Sequence, residues 1–115
     1  DQIEMAIYSG DDTHTLSIMA SGGCGVISVS GHFVGPQMLE MMNAFEAGQG
    51  EKARTIHLEI FPIMKGLFAT TNPVLTKVGL KMQGFDVGGL RPPLYWASQS
   101  EEQAIQKILQ DLKLL

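Results

Sequence analysis

The chain has 115 residues, 44% hydrophobic and 17% charged, with a formal charge of −4. That is enough chain for one domain, which would bury roughly 65–70% of its unfolded surface. No apolar run approaches the ~20 residues of a membrane helix, and no basic start leads into an apolar signal core.

Charge is unevenly placed. Residues 1–50 carry Asp1, Glu4, Asp11, Asp12, Glu40 and Glu46 and neither Lys nor Arg; all 8 basic residues lie from Lys52 onward. The first half is therefore unsuited to neutralising nucleic-acid phosphates and supplies no lysine nucleophile. Cys24 is the only cysteine, which rules out an internal disulfide and suits a reducing compartment. The expected location is cytoplasmic. The chain does not begin with Met, as expected of a processed product or of part of something longer.

In chain order, residues 4–9 read as a strand, apolar at successive positions as when both faces are covered. Gly10-Asp11-Asp12 follows, and one of the two aspartates is a natural N-cap for a helix from about Thr13 to Ser21. Gly22-Gly23 stops that helix, and Val26–Ser30 reads as a second strand. Strand, helix and strand make a βαβ unit, expected to be parallel and right-handed.

Pro36 suits the first position of the next helix, where Met38, Met41, Met42 and Phe45 form one apolar face. Gly48-Gln49-Gly50 ends it. Ala53, Ile56, Ile60, Ile63 and Leu67 mark a helix from about Glu51 to Ala69, with Pro62 expected to kink or end it. Asn72-Pro73 reads as an N-cap and first-turn proline for a helix carrying Leu75, Val78 and Met82. Phe85–Trp96 reads as a loop. Ser98 and Glu101 have capping-box spacing before a last helix with Ile105, Ile108, Leu109 and Leu112 inward.

Two parallel strands are not a self-sufficient sheet, because faces and edges stay open. The chain therefore reads as a piece of a larger α/β domain, or as one completed by another chain. Ligands in such folds bind at the carboxyl ends of the strands, here Gly10–Asp12 and the residues after Val29. Asp11 and Asp12 have the composition of an acid/base pair or metal corner, against the plainer reading of an N-cap. His14, His32 and His57 lack zinc-ligand spacing; His14 reads as helix surface and His32 as the better candidate for a pocket. Cys24 falls at the opposite strand end and reads as a small buried hydrophobe. Gly22-Gly23-Cys24-Gly25 precedes a strand and so is a tight turn, not a phosphate cradle. Ser28 and Ser30 lack a nucleophile-elbow context. No metal or cofactor is expected.

The ordered set Ser9-Gly10-Asp11-Asp12, Gly22-Gly23-Cys24-Gly25-Val26-Ile27-Ser28-Val29, Asn72-Pro73-Val74-Leu75-Thr76-Lys77 and Leu90-Arg91-Pro92-Pro93-Leu94 resembles the carboxyl-terminal part of the dihydrodipicolinate synthases, over nearly all 115 residues. The resemblance implies a (β/α)8 barrel with a helical carboxyl-terminal extension. Residues 1–50 would supply strands seven and eight with their helices, and 51–115 the extension. It implies a homotetrameric lyase of lysine and diaminopimelate biosynthesis. Such an enzyme condenses pyruvate with aspartate semialdehyde through a lysine Schiff base, on a lysine in the amino-terminal part of the barrel that this chain lacks. On residue matching, the Ile27 backbone carbonyl faces pyruvate, Gly10 borders the pocket, and Asp11 and Asp12 lie near the entrance for the second substrate. No catalytic side chain is expected within these residues, and the chain alone is expected to be inactive. Ser30-Gly31-His32 replaces a more usual Thr-Ala-Asn, Leu75-Thr76 a more usual Pro-Val, and Pro92 a Leu. The first change touches the pocket rim. The alternatives are another 2-oxo-acid aldolase of the superfamily, such as an N-acetylneuraminate lyase, and a non-catalytic interaction module using the Met38/Met41/Met42 face and the final helix.

Overall fold

The structure is a computed structural model that describes residues 5–115. Its order is β1 (Tyr8–Ser9), a 3-10 turn (Asp12–His14), α1 (Thr15–Ala20), β2 (Gly25–Val26), α2 (Gly31–Glu46), α3 (Gly50–Gly66), α4 (Val74–Met82) and α5 (Gln99–Asp111). The strands pair in parallel, with Tyr8 opposite Gly25 and Ser9 opposite Val26. Both are shorter than expected, and the Glu4 end of the first lies outside the described residues. Backbone pairing extends one residue further at each end: Cys24 N donates to the Ile7 carbonyl (2.7 Å) and Ile27 N to the Ser9 carbonyl (2.9 Å). Beyond Ile27 the chain leaves the ladder, because the next amides find a side-chain acceptor described below.

The helix expected at about Thr13–Ser21 starts as the 3-10 turn and becomes α-helical at Thr15. Its end is a close passage. Gly22 takes φ +93°, and a Cβ on Gly23 would meet the Ile18 and Ile7 carbonyl oxygens at 2.9 and 3.1 Å, so the return to β2 requires glycines there.

α2 begins earlier than expected. An additional turn from Gly31 precedes a break at Val34 (φ −123°, ψ 30°), and Pro36 opens the regular part that follows. The break removes the conflict between the proline ring and the turn before it. α3 does not end at Pro62 but continues to Gly66. The proline lies on the exposed side of the helix, where solvent can satisfy the carbonyl that loses its donor. At α4 the expected cap is displaced by one residue: Pro73 is the N-cap, and Asn72 Oδ1 instead accepts from Thr76 Oγ1 at 3.0 Å. α5 starts with the expected capping box, Glu101 N donating to Ser98 Oγ and Ser98 N to Glu101 Oε2.

The hydrophobic core lies among the helices. Val34, Met38, Met41 and Ala44 of α2 pack with Ala53, Ile56, Ile60, Ile63 and Met64 of α3, and Leu75, Val78, Ile105 and Leu109 close it from α4 and α5. α4 crosses at Gly79, where a Cβ would stand 2.9 Å from the Phe33 ring. The loop after α4 is held from below: Lys77 Nζ donates to the Val87 and Gly89 carbonyls (3.1 and 2.6 Å), Trp96 Nε1 donates to Glu102 Oε1 (2.7 Å), and Lys81 lies 5.3 Å from the Trp96 ring centre.

The strands are covered on one side only among the described residues: Val26 packs against the helical core and Ser9 is buried, while the other side is open. Met5, Ile7, Tyr8 and Ile27 are 72%, 55%, 51% and 72% exposed. This is the open sheet expected from two parallel strands alone. Cys24 is likewise exposed, which corrects its reading as a buried hydrophobe: the layer that would bury this end of β2 is not supplied by these residues. Among the described residues no helix is long and apolar enough to cross a membrane.

Candidate functional site

Parallel pairing brings the carboxyl ends of both strands to one side of the sheet. Gly10, Asp11 and Asp12 leave β1 there, and Ile27–Ser30 leave β2 beside them. Cys24 and the Gly22-Gly23 turn lie at the other end.

Asp11 is the N-cap. Its Oδ1 accepts from Thr13 N (2.8 Å) and Thr13 Oγ1 (2.6 Å), occupying a donor that the turn leaves free. The Thr13 hydroxyl holds the Asp11 carboxyl below the usual carboxylate range; burial opposes it, and the Thr13 amide and nearby His14 and Lys65 add to the lowering. Ser9 braces the approach: its Oγ donates to the Asp11 carbonyl (2.7 Å) and accepts from Asp11 N (3.1 Å).

Asp12 points inward and is 2% exposed. Its Oδ2 accepts from Val29 N (3.1 Å) and Ser30 N (2.9 Å). Its Oδ1 is buried without a hydrogen-bond partner among the described residues. Asp12 thus joins the ends of the two strands. On the β2 side, Ser28 Oγ accepts from Gly31 N (2.7 Å) and donates to Met38 Sδ (3.3 Å). Among the described residues the Ile27 carbonyl accepts no hydrogen bond, while its amide is fixed to Ser9.

An open groove of about 490 Å³ lies between the end of β1 and α1, lined by Tyr8, Gly10, Asp11, His14, Ser17 and Ser21 among others. A Cβ on Gly10 would meet nothing within 4 Å, so its backbone is accessible from this side. His14, read from the sequence as helix surface, lines the groove, its Nδ1 3.9 Å from Asp11 Oδ2. His32, the preferred pocket candidate, is exposed in the first turn of α2 and does not line it. The structure therefore gathers Gly10 and Asp11 on one groove; Ile27 and Asp12 do not line it, Ile27 being bonded to Ser9 and Asp12 to Val29 and Ser30. Sequence reasoning missed Ser9, Thr13 and the Asp12 tether. Ser9 and Thr13 carry a local signal, hydroxyls two residues either side of Asp11. The tether spans 17 and 18 residues and has none.

Among the described residues no three His, Cys, Asp or Glu side chains converge as metal ligands would. His57 lies apart on α3, against Phe61, and burial pushes its imidazole below the ordinary histidine range.

Residues 2–112 match the family model described as the dihydrodipicolinate synthetase family. A 4-hydroxy-tetrahydrodipicolinate synthase from Cyanothece sp. is 49% identical over 112 residues, which is 97% of this chain and 38% of the relative. Among solved structures, a dihydrodipicolinate synthase from Cyanidioschyzon merolae with lysine bound superposes with a TM-score of 0.93 at 38% identity, over 96% of this chain and 37% of that one. A chloride-inhibited dihydrodipicolinate synthase from Acinetobacter baumannii, complexed with pyruvate, superposes at 0.89 and 29% identity, over 96% of this chain and 38% of that one. The chain thus spans less than two-fifths of the length of these relatives. It belongs to the dihydrodipicolinate synthetase family, of which it represents a carboxyl-terminal portion.

Proposed function

We propose that the chain is the carboxyl-terminal part of a class I aldolase-type lyase that condenses pyruvate with aspartate semialdehyde, in lysine and diaminopimelate biosynthesis. The observation that carries this is the 49% identity to a synthase over 97% of the chain, together with superposition on a synthase complexed with pyruvate. Residues 1–50 supply the last two βα units of a (β/α)8 barrel, and 51–115 its helical extension. The open faces of Ile7, Tyr8 and Ile27 are where the preceding strands and helices pack.

The reaction needs an amine that attacks the pyruvate ketone, expels water and leaves an iminium. None of the lysines lies on or before β2; Lys52 and Lys65 are on α3, Lys77 and Lys81 on α4, Lys107 on α5, and Lys113 follows it. The Schiff-base lysine therefore belongs to the amino-terminal part of the barrel. This chain contributes surroundings: the Ile27 carbonyl, an unpaired dipole suited to a developing iminium; the Gly10 backbone at the pocket wall; and Asp11, with Asp12 behind it, on the side of the second substrate. We place the enzyme in the cytoplasm as a homo-oligomer, without metal or cofactor.

The departure Ser30-Gly31-His32 at the rim favours one second reading, an aldolase of the same superfamily acting on another 2-oxo acid. The two are separated by turnover of the chain assembled with the amino-terminal portion of the synthase. Pyruvate-dependent consumption of aspartate semialdehyde, with no cleavage of N-acetylneuraminate or other sugar acids, is the expected result. Preference for the sugar acids would overturn the synthase reading.

A further inference from the structure

We propose that Asp12 is a positioning residue that fixes the aim of the Ile27 carbonyl by holding the backbone just beyond it; this rests on the synthase reading above.

The exit of β2 has little ladder left to define it. Pairing ends with Ile27 N on the Ser9 carbonyl, and the next two residues that could continue it, Val29 and Ser30, give their amides to one carboxylate oxygen of Asp12. Rotation about the bonds flanking Ile27 changes where its carbonyl points. That rotation is limited on the near side by the Ser9 bond and on the far side by the Asp12 tether, two and three residues away. Ser28, between them, is pinned separately through Gly31 N and Met38 Sδ. The tether is well protected: Asp12 is 2% exposed and Ser30 fully buried. A charge-assisted bond to backbone N–H is stronger than a neutral one, and shielding from water strengthens it further. Asp12 uses Oδ2 for this contact, and its Oδ1 is buried without a partner among the described residues, so neither oxygen lies at the surface. It acts on the reaction through Ile27.

Because Asp12 and Asp11 are adjacent, the same dipeptide serves two ends. Asp11 starts the helix after β1, and Asp12 crosses to β2.

The test uses the chain assembled with the amino-terminal portion of the synthase, in four forms: wild type, Asp12→Asn, Asp12→Ala and Ser28→Ala. Kinetics are taken with pyruvate varied at saturating aspartate semialdehyde. Amide exchange of Val29 and Ser30 is followed in parallel, a readout independent of any substrate. Asp12→Asn keeps an acceptor oxygen but loses the charge that strengthens the bond, and is expected to lose on the order of tenfold in kcat/KM for pyruvate, clearly less than Asp12→Ala. Asp12→Ala is expected to lose on the order of 100-fold in that ratio, the scale of a misplacement near 1 Å, with faster exchange at Val29 and Ser30. Ser28→Ala, which loosens the same segment from the other side and leaves Asp12 intact, is expected to fall between. If Asp12→Ala exchanges faster yet keeps its kcat/KM for pyruvate, or if Ser28→Ala matches wild type while Asp12→Ala fails to fold, the positioning role is overturned. If wild type shows the protected amides but no pyruvate-dependent turnover, the synthase reading fails, and the inference with it.

Discussion

Ile7→Ala probes the open sheet most simply. Ile7 is 55% exposed, so a little under half of its side chain is out of water. Full burial of such a side chain contributes about 1.5–3 kcal/mol, and the covered part here contributes ~1 kcal/mol. In a completed barrel a strand is covered on both faces, and Ile→Ala at a buried site costs about 2–5 kcal/mol. Urea unfolding followed by helical circular dichroism, on the chain alone and on the chain assembled with the amino-terminal portion, gives both numbers. The expected difference between them is at least ~1 kcal/mol. Equal losses in the two settings would refute the claim that the face of β1 is covered by the missing part.

Two further outcomes follow from local chemistry. Ser98→Ala removes the acceptor for Glu101 N at the start of α5 and is expected to cost about 1 kcal/mol, read as a lower urea midpoint with unchanged slope; Ser98→Asp should recover most of it. His57 titrates below the ordinary value of 6.5 because of burial. Its folded-state pKa is depressed, so its contribution is fully present above pH 6.5 and is lost as pH falls through the folded value. His57→Leu should flatten the stability profile on the acid side of 6.5, and an unchanged slope would show that His57 does not titrate as its burial requires.

The helical part of the fold was readable because its signals are local. The Met38/Met41 face, the Ile56/Ile60/Ile63 face and the Ser98–Glu101 box each lie within one or two helical turns. Pro36 was read correctly as opening a helix, and only the extra turn before the break at Val34 was missed; Pro62 does not end its helix, because the exposed carbonyl that loses its donor can be met by solvent. The parallel strands were legible as a pair but not in length; β2 stops early where Val29 and Ser30 give their amides to Asp12. Cys24 failed for a different reason. Residue type and its place at the far strand end suggested burial, and none of the described residues covers it. At the site, a cap at Asp11 or Asp12 was legible from residue type and position, and the structure places it on Asp11. The distinct duty of Asp12 could not be read from two identical neighbours.

The central claim is a division of labour, with reactive amine and pocket wall on different parts of one barrel. Borohydride reduction in the presence of pyruvate, followed by peptide mass mapping, tests it directly. The chain alone is expected to gain no pyruvate adduct, and the assembled barrel is expected to carry one on a lysine outside these 115 residues. A stable adduct on Lys52, Lys65 or any other lysine of the isolated chain would contradict it.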